Sequence, residues 1–199
     1  MKKMMMIAVM AIATMTASAQ AQETGKFAIM PKVGMNCSDI TGAKDIVKNK
    51  FGLAAGAELE YKVKDWFGVS AGAMYEQQGF HLKDVDKDVT SEYINVPVSA
   101  KFYVWKGLSI GAGVQTGFLT KAKFDDRDIK NQFNKVDFGL TSTIAYEFPF
   151  GLNLELRYYE GLTDVVKDTE YEFRAESWWN KSMNKNRTLQ LTVGYKFQL

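Results

Sequence analysis

A chain of 199 residues with 25 Lys and Arg against 23 Asp and Glu has no charge excess on which nucleic-acid binding could rest. Its one cysteine, Cys37, excludes an internal disulfide and a cysteine-rich metal site, and its one histidine, His81, limits histidine chemistry to a single group. Without the leader described next, about 180 residues remain, the size of one domain.

Lys2 and Lys3 precede an apolar run from Met4 to Ala17, and Ala17-Ser18-Ala19 supplies small residues. This is the layout of a secretory signal peptide over 1–19, with cleavage after Ala21 as the alternative. A retained membrane anchor is the competing reading, but the run is shorter than the ~20 apolar residues a spanning helix needs. Losing Lys2 and Lys3 leaves 23 basic groups against 23 acidic ones, a formally neutral mature chain.

From residue 26 onward the apolar pattern has period two, eight times over, within one β-barrel domain spanning 26–199. Strands are predicted at 26–36, 51–63, 66–79, 92–104, 108–120, 136–148, 151–161 and 187–199. Their connections alternate: long at 37–50, 80–91, 121–135 and 162–186, short at Lys64-Asp65, Trp105-Lys106-Gly107 and Pro149-Phe150. Long loops therefore fall on one side and tight turns on the other. The last segment alternates up to Leu199, and a free apolar edge would invite aggregation, so it is expected to close the sheet onto the first strand.

The two faces of these strands differ sharply. One carries Leu53, Leu59, Val69, Ile94, Val96, Val98, Ile110, Val114, Leu140, Ile144, Leu154 and Leu156. The other carries Glu58, Glu60, Glu76, Asn95, Lys101, Gln115, Asp137, Asn153, Glu155, Arg157 and Lys196, and with them Gly34, Gly52, Gly56, Gly68, Gly72, Gly111, Gly113, Gly117, Gly139 and Gly194. Glycine on a water-facing outer surface only weakens strands. Inside a narrow barrel it makes room for neighbouring long side chains, so the polar face is the lumen and the apolar face meets lipid. The expected fold is all-β, an eight-stranded antiparallel up-and-down transmembrane barrel with short periplasmic turns and long extracellular loops. Aromatics at strand ends predict two interfacial girdles: Trp66, Phe67, Phe102, Trp105, Phe148, Phe150 and Phe197 by the short turns, and Phe51, Tyr75, Phe80, Phe118, Phe138 and Tyr158 by the long loops.

The segments YINVPVSAKFYVW, GLSIGAGVQTGFL, VDFGLTSTIAYEF, ELRYYEGLTDV and KNRTLQLTVGYKF resemble, in order and spacing, successive motifs of the PorT-like outer-membrane β-barrel family of Bacteroidota. Arg157-Tyr158 with Gly161-Leu162, and Asn186-Arg187 before the final strand, carry the closest match. The resemblance implies a Gram-negative outer-membrane location. The long final loop departs from the family pattern, and the resemblance does not transfer a secretion role.

Two groups of residues are candidate sites. Glu58, Glu60, Lys101, Glu155, Arg157 and Lys196 are expected to pair in the periplasmic half of the lumen, because an unpaired buried charge is costly; contact with lumen water is the alternative. In the longest loop, Tyr171, Phe173, Arg174, Trp178 and Trp179 lie among acids, the composition of a recognition surface; packing on the barrel rim or at the lipid interface is the alternative. No catalytic constellation, cofactor motif or metal set stands out. Gly111-Ala112-Gly113-Val114-Gln115-Thr116-Gly117 lacks the dinucleotide spacing. Asp84, Asp86 and Asp88, and Asp125-Asp126, have oxygens suited to calcium, but Lys83 and Lys87 favour a solvated loop. The expected partners are outer-membrane lipids, the barrel-assembly machinery during insertion, and a surface or secretion-system protein, with the chain itself a monomer. A non-enzymatic structural or binding barrel is favoured over a small channel or transport accessory, and over a lipid-acting enzyme.

Overall fold

The computed structural model describes residues 23–41, 47–83, 87–125, 127–165 and 185–199. The proposed leader and the aromatic loop residues Tyr171, Phe173, Arg174, Trp178 and Trp179 lie outside these. Eight long strands form one closed antiparallel sheet: β1 Phe27–Ile40, β2 Val47–Lys64, β3 Phe67–Leu82, β4 Lys87–Trp105, β5 Leu108–Phe124, β6 Val136–Glu147, β7 Leu152–Asp164 and β8 Lys185–Tyr195, the last continued by Phe197–Gln198. Each strand pairs with its neighbours in sequence, and β8 returns to β1 from Lys32↔Gly194 to Ile40↔Asn186, with Ile29↔Phe197 beyond. No edge is left open.

The wall is strongly tilted. Asn153, Gly194, Lys32, Gly56, Met74, Asn95, Gly117 and Asp137 follow one another around it as direct partners. Asn153 is at the short-turn end of β7 and Asp137 at the long-loop end of β6, so one circuit climbs from one end of the barrel to the other, as closure of tilted strands requires. Two prolines sit where the ladder is interrupted. The β1–β8 pairing skips Pro31, and the β3–β4 pairing skips Pro97, each lacking the N–H that the ladder would use. The turn between β4 and β5 is built on Lys106 and Gly107, both with positive φ, as a tight hairpin prefers.

Alternation places the polar face inside. Glu58, Glu60, Lys101, Glu155 and Arg157 are buried, whereas Ile110, Val114, Leu140, Ile144 and Leu156 are exposed around the outside. A wall that hides its charges and shows its aliphatics is the inverse of a water-soluble barrel, and fits lipid outside. Exposed Trp66, Phe102, Trp105 and Phe150 surround the short-turn end, with Trp66 and Phe102 stacked at 6.2 Å and the rings of Phe148 and Phe150 tilted against each other at 5.4 Å. Exposed Phe51, Phe118, Phe138 and Tyr158 lie toward the other end.

Three expectations are corrected. The strands run further at the long-loop end than the apolar alternation reaches: β2 begins at Val47, β4 at Lys87 and β5 ends at Phe124, with 18, 19 and 17 residues. A membrane crossing takes ~9–11 residues, so these hairpins continue above the apolar band, where charged Lys48 and Lys121 replace aliphatics. Phe80 is not a girdle residue. It shares parity with Glu76 and Gln78 on β3 and is buried inside the barrel mouth. The glycines also do more than make room for charged chains. At Gly34, Gly52 and Gly113 an added Cβ would strike a carbonyl oxygen of the adjacent strand, so the coiled backbone itself requires a bare position there.

Candidate functional site

The charged residues of the lumen meet near the short-turn end in one lattice. Glu58, from β2, accepts from Lys32 Nζ at 2.8 Å, from Arg157 Nη2 at 2.9 Å and from Lys101. Glu155, from β7, accepts from Arg157 Nη2 at 2.7 Å and Lys32 Nζ at 2.8 Å. Glu60 accepts from Lys101 at 3.1 Å, from Lys196 at 2.9 Å and from the Tyr103 hydroxyl. Lys196 also reaches Glu147 at 2.5 Å. Lys32, Lys101, Arg157 and Lys196 therefore face Glu58, Glu60, Glu147 and Glu155, a neutral set drawn from six of the eight strands. The remaining two strands supply glycine beside it. A Cβ at Gly72 of β3 would lie 3.5 Å from Glu58 Cβ, and one at Gly111 of β5 would lie 3.6 Å from Lys101 Cγ.

Such a lattice is dictated by burial. Its Glu58, Glu155, Lys32 and Arg157 side chains are 1–4 % exposed. A charge removed from water to that degree is tolerated only with opposite charge and hydrogen bonds around it. Bonds that run from β7 to β1 and β2, and from β2 to β4 and β8, join strands that are not paired with each other, and so reach across the lumen instead of following its wall.

The long-loop end is closed by different chemistry. Ile40, Phe80, Val89, Tyr93, Leu119, Ala122, Phe133 and Val165 form a buried apolar cluster, with Leu82, Phe124 and Ile129 packed against it. The segment after β5 is drawn over the mouth by backbone bonds from Ile129 N to Ala122 O at 3.0 Å and from Asn134 N to Val165 O at 2.8 Å. This seats Phe133 inside. Beneath the cluster, Asp137 accepts from Thr163 at 2.6 Å and Asn186 at 2.7 Å.

A closed antiparallel wall with lipid-compatible residues outside and charges within is the architecture of an outer-membrane barrel. The family model for the outer membrane protein beta-barrel domain matches residues 18–167. The chain belongs to this family. The ring of this outer-membrane β-barrel protein is completed beyond the matched span by β8. Among solved structures it is similar to OprG from Pseudomonas aeruginosa, with 14% identity, a TM-score of 0.52, and coverage of 89% of this chain and 98% of the other. It is also similar to Neisserial surface protein A, with 10% identity, a TM-score of 0.52, and coverage of 87% and 97%. A third likeness is to Ail, the attachment invasion locus protein of Yersinia pestis, with 18% identity, a TM-score of 0.50, and coverage of 88% and 100%. At these identities the likeness is one of fold. No curated protein matches.

In this outer-membrane barrel the six predicted lumen residues, Glu58, Glu60, Lys101, Glu155, Arg157 and Lys196, occupy one connected group. Sequence reasoning missed three members. Lys32 lies on the polar parity of β1 between Met30 and Gly34, flanked by Pro31, and its parity was the available signal. Tyr103 and Glu147 likewise face inward at the short-turn ends of β4 and β6. His81 Nδ1 lies 2.8 Å from Asp88 Oδ1 at the β3–β4 hairpin, where Lys50 also bonds Asp88 at 3.1 Å. Asp125 holds Lys87 at 2.9 Å. Asp88 and Asp125, whose loops were expected to be solvated, are thus engaged by cations, while Asp84, Asp86 and Asp126 lie outside the described residues. The hydrogen bond from His81, opposed by burial and aided by Lys50, holds the Asp88 carboxyl below its ordinary value.

Proposed function

We propose that this outer-membrane protein is a non-enzymatic, monomeric binding barrel of the PorT-like kind found in Bacteroidota, working through the residues it presents outside the cell. One observation carries the reading. An ion-pair lattice crosses the lumen at one end and an apolar cluster fills it at the other, which leaves the outer rim and loops for specific contact. An eight-stranded wall encloses a space that side chains can fill, and here they fill it at both ends. The five sequence motifs support the PorT-like assignment, and the leader 1–19 supports export to the outer membrane, inserted there by the barrel-assembly machinery among outer-membrane lipids.

The recognition surface is assigned to Tyr171, Phe173, Arg174, Trp178 and Trp179. Aromatic rings with an interspersed arginine are what the energetic centre of an interface uses, and a surface or secretion-system protein is the partner class they suit. The test is Trp178→Ala with Trp179→Ala, read by capture of cross-linked partners from intact cells and by heat-modified gel mobility of the same sample. Loss of a captured partner with normal mobility supports recognition. Unchanged capture per folded molecule, with earlier melting, assigns the rings to the rim and removes the proposed site.

A further inference from the structure

The outer wall changes character directly above its apolar band. On β3, β4 and β5 the exposed Tyr75, Ile94 and Phe118 are direct partners in one row. The next outward row is Gln77, Glu92 and Lys121, and above it Thr90 pairs with Lys123. Odd-numbered residues of β5 such as Gln115 and Leu119 are buried inside, so a regular strand would send both lysines into the lumen. The register shift opposite Glu92 and Tyr93 inserts Thr120 as an extra residue, which buries Ala122 and turns Lys121 and Lys123 outward. A bulge is the device that re-aims side chains at the rim of a barrel.

These lysines are poorly neutralised. Lys121 lies 3.6 Å from Glu92, beyond hydrogen-bond range, and Lys123 has no ion pair among the described residues. Asp128, the ladder partner of Lys123, instead accepts from Lys130 N at 2.8 Å. Lys50 Nζ bonds the Thr90 hydroxyl and, at 3.1 Å, Asp88, which brings a third cation near Lys123 and leaves the Thr90 proton to donate elsewhere. On the opposite side of the barrel the same step along the strands gives the opposite balance. Above the row of Tyr158, Leu189 and Cys37 on β7, β8 and β1 come Glu160, Arg187 and Asp39, with Arg187 held by both oxygens of Asp39 at 2.9 and 2.6 Å. Lysine is thus in excess over β3 to β5, and acid over β7 to β1.

Depth says what these cations meet. Two residues span about 7 Å along a strand, and the headgroup layer on each side of the hydrocarbon core is about 5–7 Å thick. Lys121 therefore stands among lipid headgroups, with Lys123 at their upper edge. A soluble anion would be held there by charge alone, in salt-screened water. A lipid is already kept at this depth by its chains, so its phosphate meets the lysines at high local concentration. We propose that this face of the barrel, on β3 to β5, holds a phosphorylated lipid of the outer leaflet, its phosphate bound by Lys121, Lys123 and the Thr90 hydroxyl and its chains laid on Tyr75, Ile94 and Phe118. The site goes beyond the loop-borne binding role and does not depend on it, because every residue it uses belongs to the wall.

Native mass spectrometry of the folded protein released from detergent micelles, with dioleoyl phosphatidic acid or dioleoyl phosphatidylcholine added, tests this. The parent should retain phosphatidic acid in preference to phosphatidylcholine. Lys121→Gln with Lys123→Gln should lower that retention about 30-fold, at about fivefold per lysine near a charged lipid, and Lys121→Arg with Lys123→Arg should keep it. Heat-modified mobility verifies that each variant is folded. Glycerol 3-phosphate, the same headgroup without chains, should not compete. Equal retention of the two lipids by the parent would overturn the proposal. So would an equal loss in Lys64→Gln with Lys106→Gln, at exposed positions of the short-turn end, because the attraction would then be diffuse. Displacement by glycerol 3-phosphate would mean a site for soluble anions and overturn the assignment to lipid.

Discussion

Replacing Arg157 with Met tests whether the lumen charges act as a unit. Arg157 bonds Glu58 at 2.9 Å and Glu155 at 2.7 Å through one nitrogen, and is buried among them. Its loss leaves three lattice cations, Lys32, Lys101 and Lys196, against four acids. Glu58 keeps Lys32 and Lys101, but Glu155 keeps a close bond only to Lys32, at 2.8 Å, with Lys101 at 3.8 Å. Removing one partner from a buried ion pair costs ~3–5 kcal/mol, and the remaining lysines place this case toward the lower part of that range. Lys135→Met, at an exposed position, should stay within about 0.5 kcal/mol of the parent. Adding Glu155→Gln to Arg157→Met restores charge balance, so the pair should recover ~1–3 kcal/mol relative to additivity. Urea unfolding in lipid vesicles, followed by tryptophan fluorescence and heat-modified mobility, measures the parent, the three single variants and the double variant. If Arg157→Met moves the midpoint no further than Lys135→Met, or if Glu155→Gln adds its full cost on top, the lattice is not a coupled network.

The outer closure and the rim give further expectations. Phe133→Ala removes a buried ring from the apolar cluster, a change that costs ~3–5 kcal/mol in a core. Because Leu119 N is bonded to Lys135 O and Asn134 N to Val165 O, the loss should appear locally as faster hydrogen exchange at those two amides; unchanged protection would mean that Phe133 does not hold the segment down. At the β3–β4 hairpin, the depressed Asp88 carboxyl contributes stability that is present above the ordinary aspartate value of about 4 and is lost as pH falls through its lower folded value. Amide exchange at His81 and Leu82 should therefore accelerate in acid below that value in the parent and become insensitive to that range in Asp88→Asn. The same acid response in both would assign it elsewhere.

Much of this molecule is readable from period two, and the unread parts have definable causes. Alternation separates Leu154 and Leu156 from Glu155 and Arg157 without any knowledge of neighbours, and hence gives the faces of each strand. The apolar outer closure carried the same signal. Ile40, Phe80, Tyr93 and Leu119 share parity with Ser38, Gln78, Asn95 and Gly117, so the inward face itself turns apolar toward the long loops. Phe133 and Val165 had no such signal, because they lie in connections without a period and enter the cluster only through backbone bonds across the mouth. The partners of Glu58 were also out of reach of local pattern. Lys32, Lys101 and Arg157 come to it from three other strands through the tilt and closure of the wall, which no short window of sequence contains.

Closure of the lumen is tested most directly by its electrical behaviour. Purified protein, folded and reconstituted into planar bilayers in molar potassium chloride, should insert and remain silent across both voltage polarities, because the ion-pair lattice and the apolar cluster each stand across the path of an ion. Insertion is verified independently by heat-modified mobility of protein recovered from the same reconstitution. A steady ohmic current from folded protein would contradict a sealed barrel and restore the channel as its function.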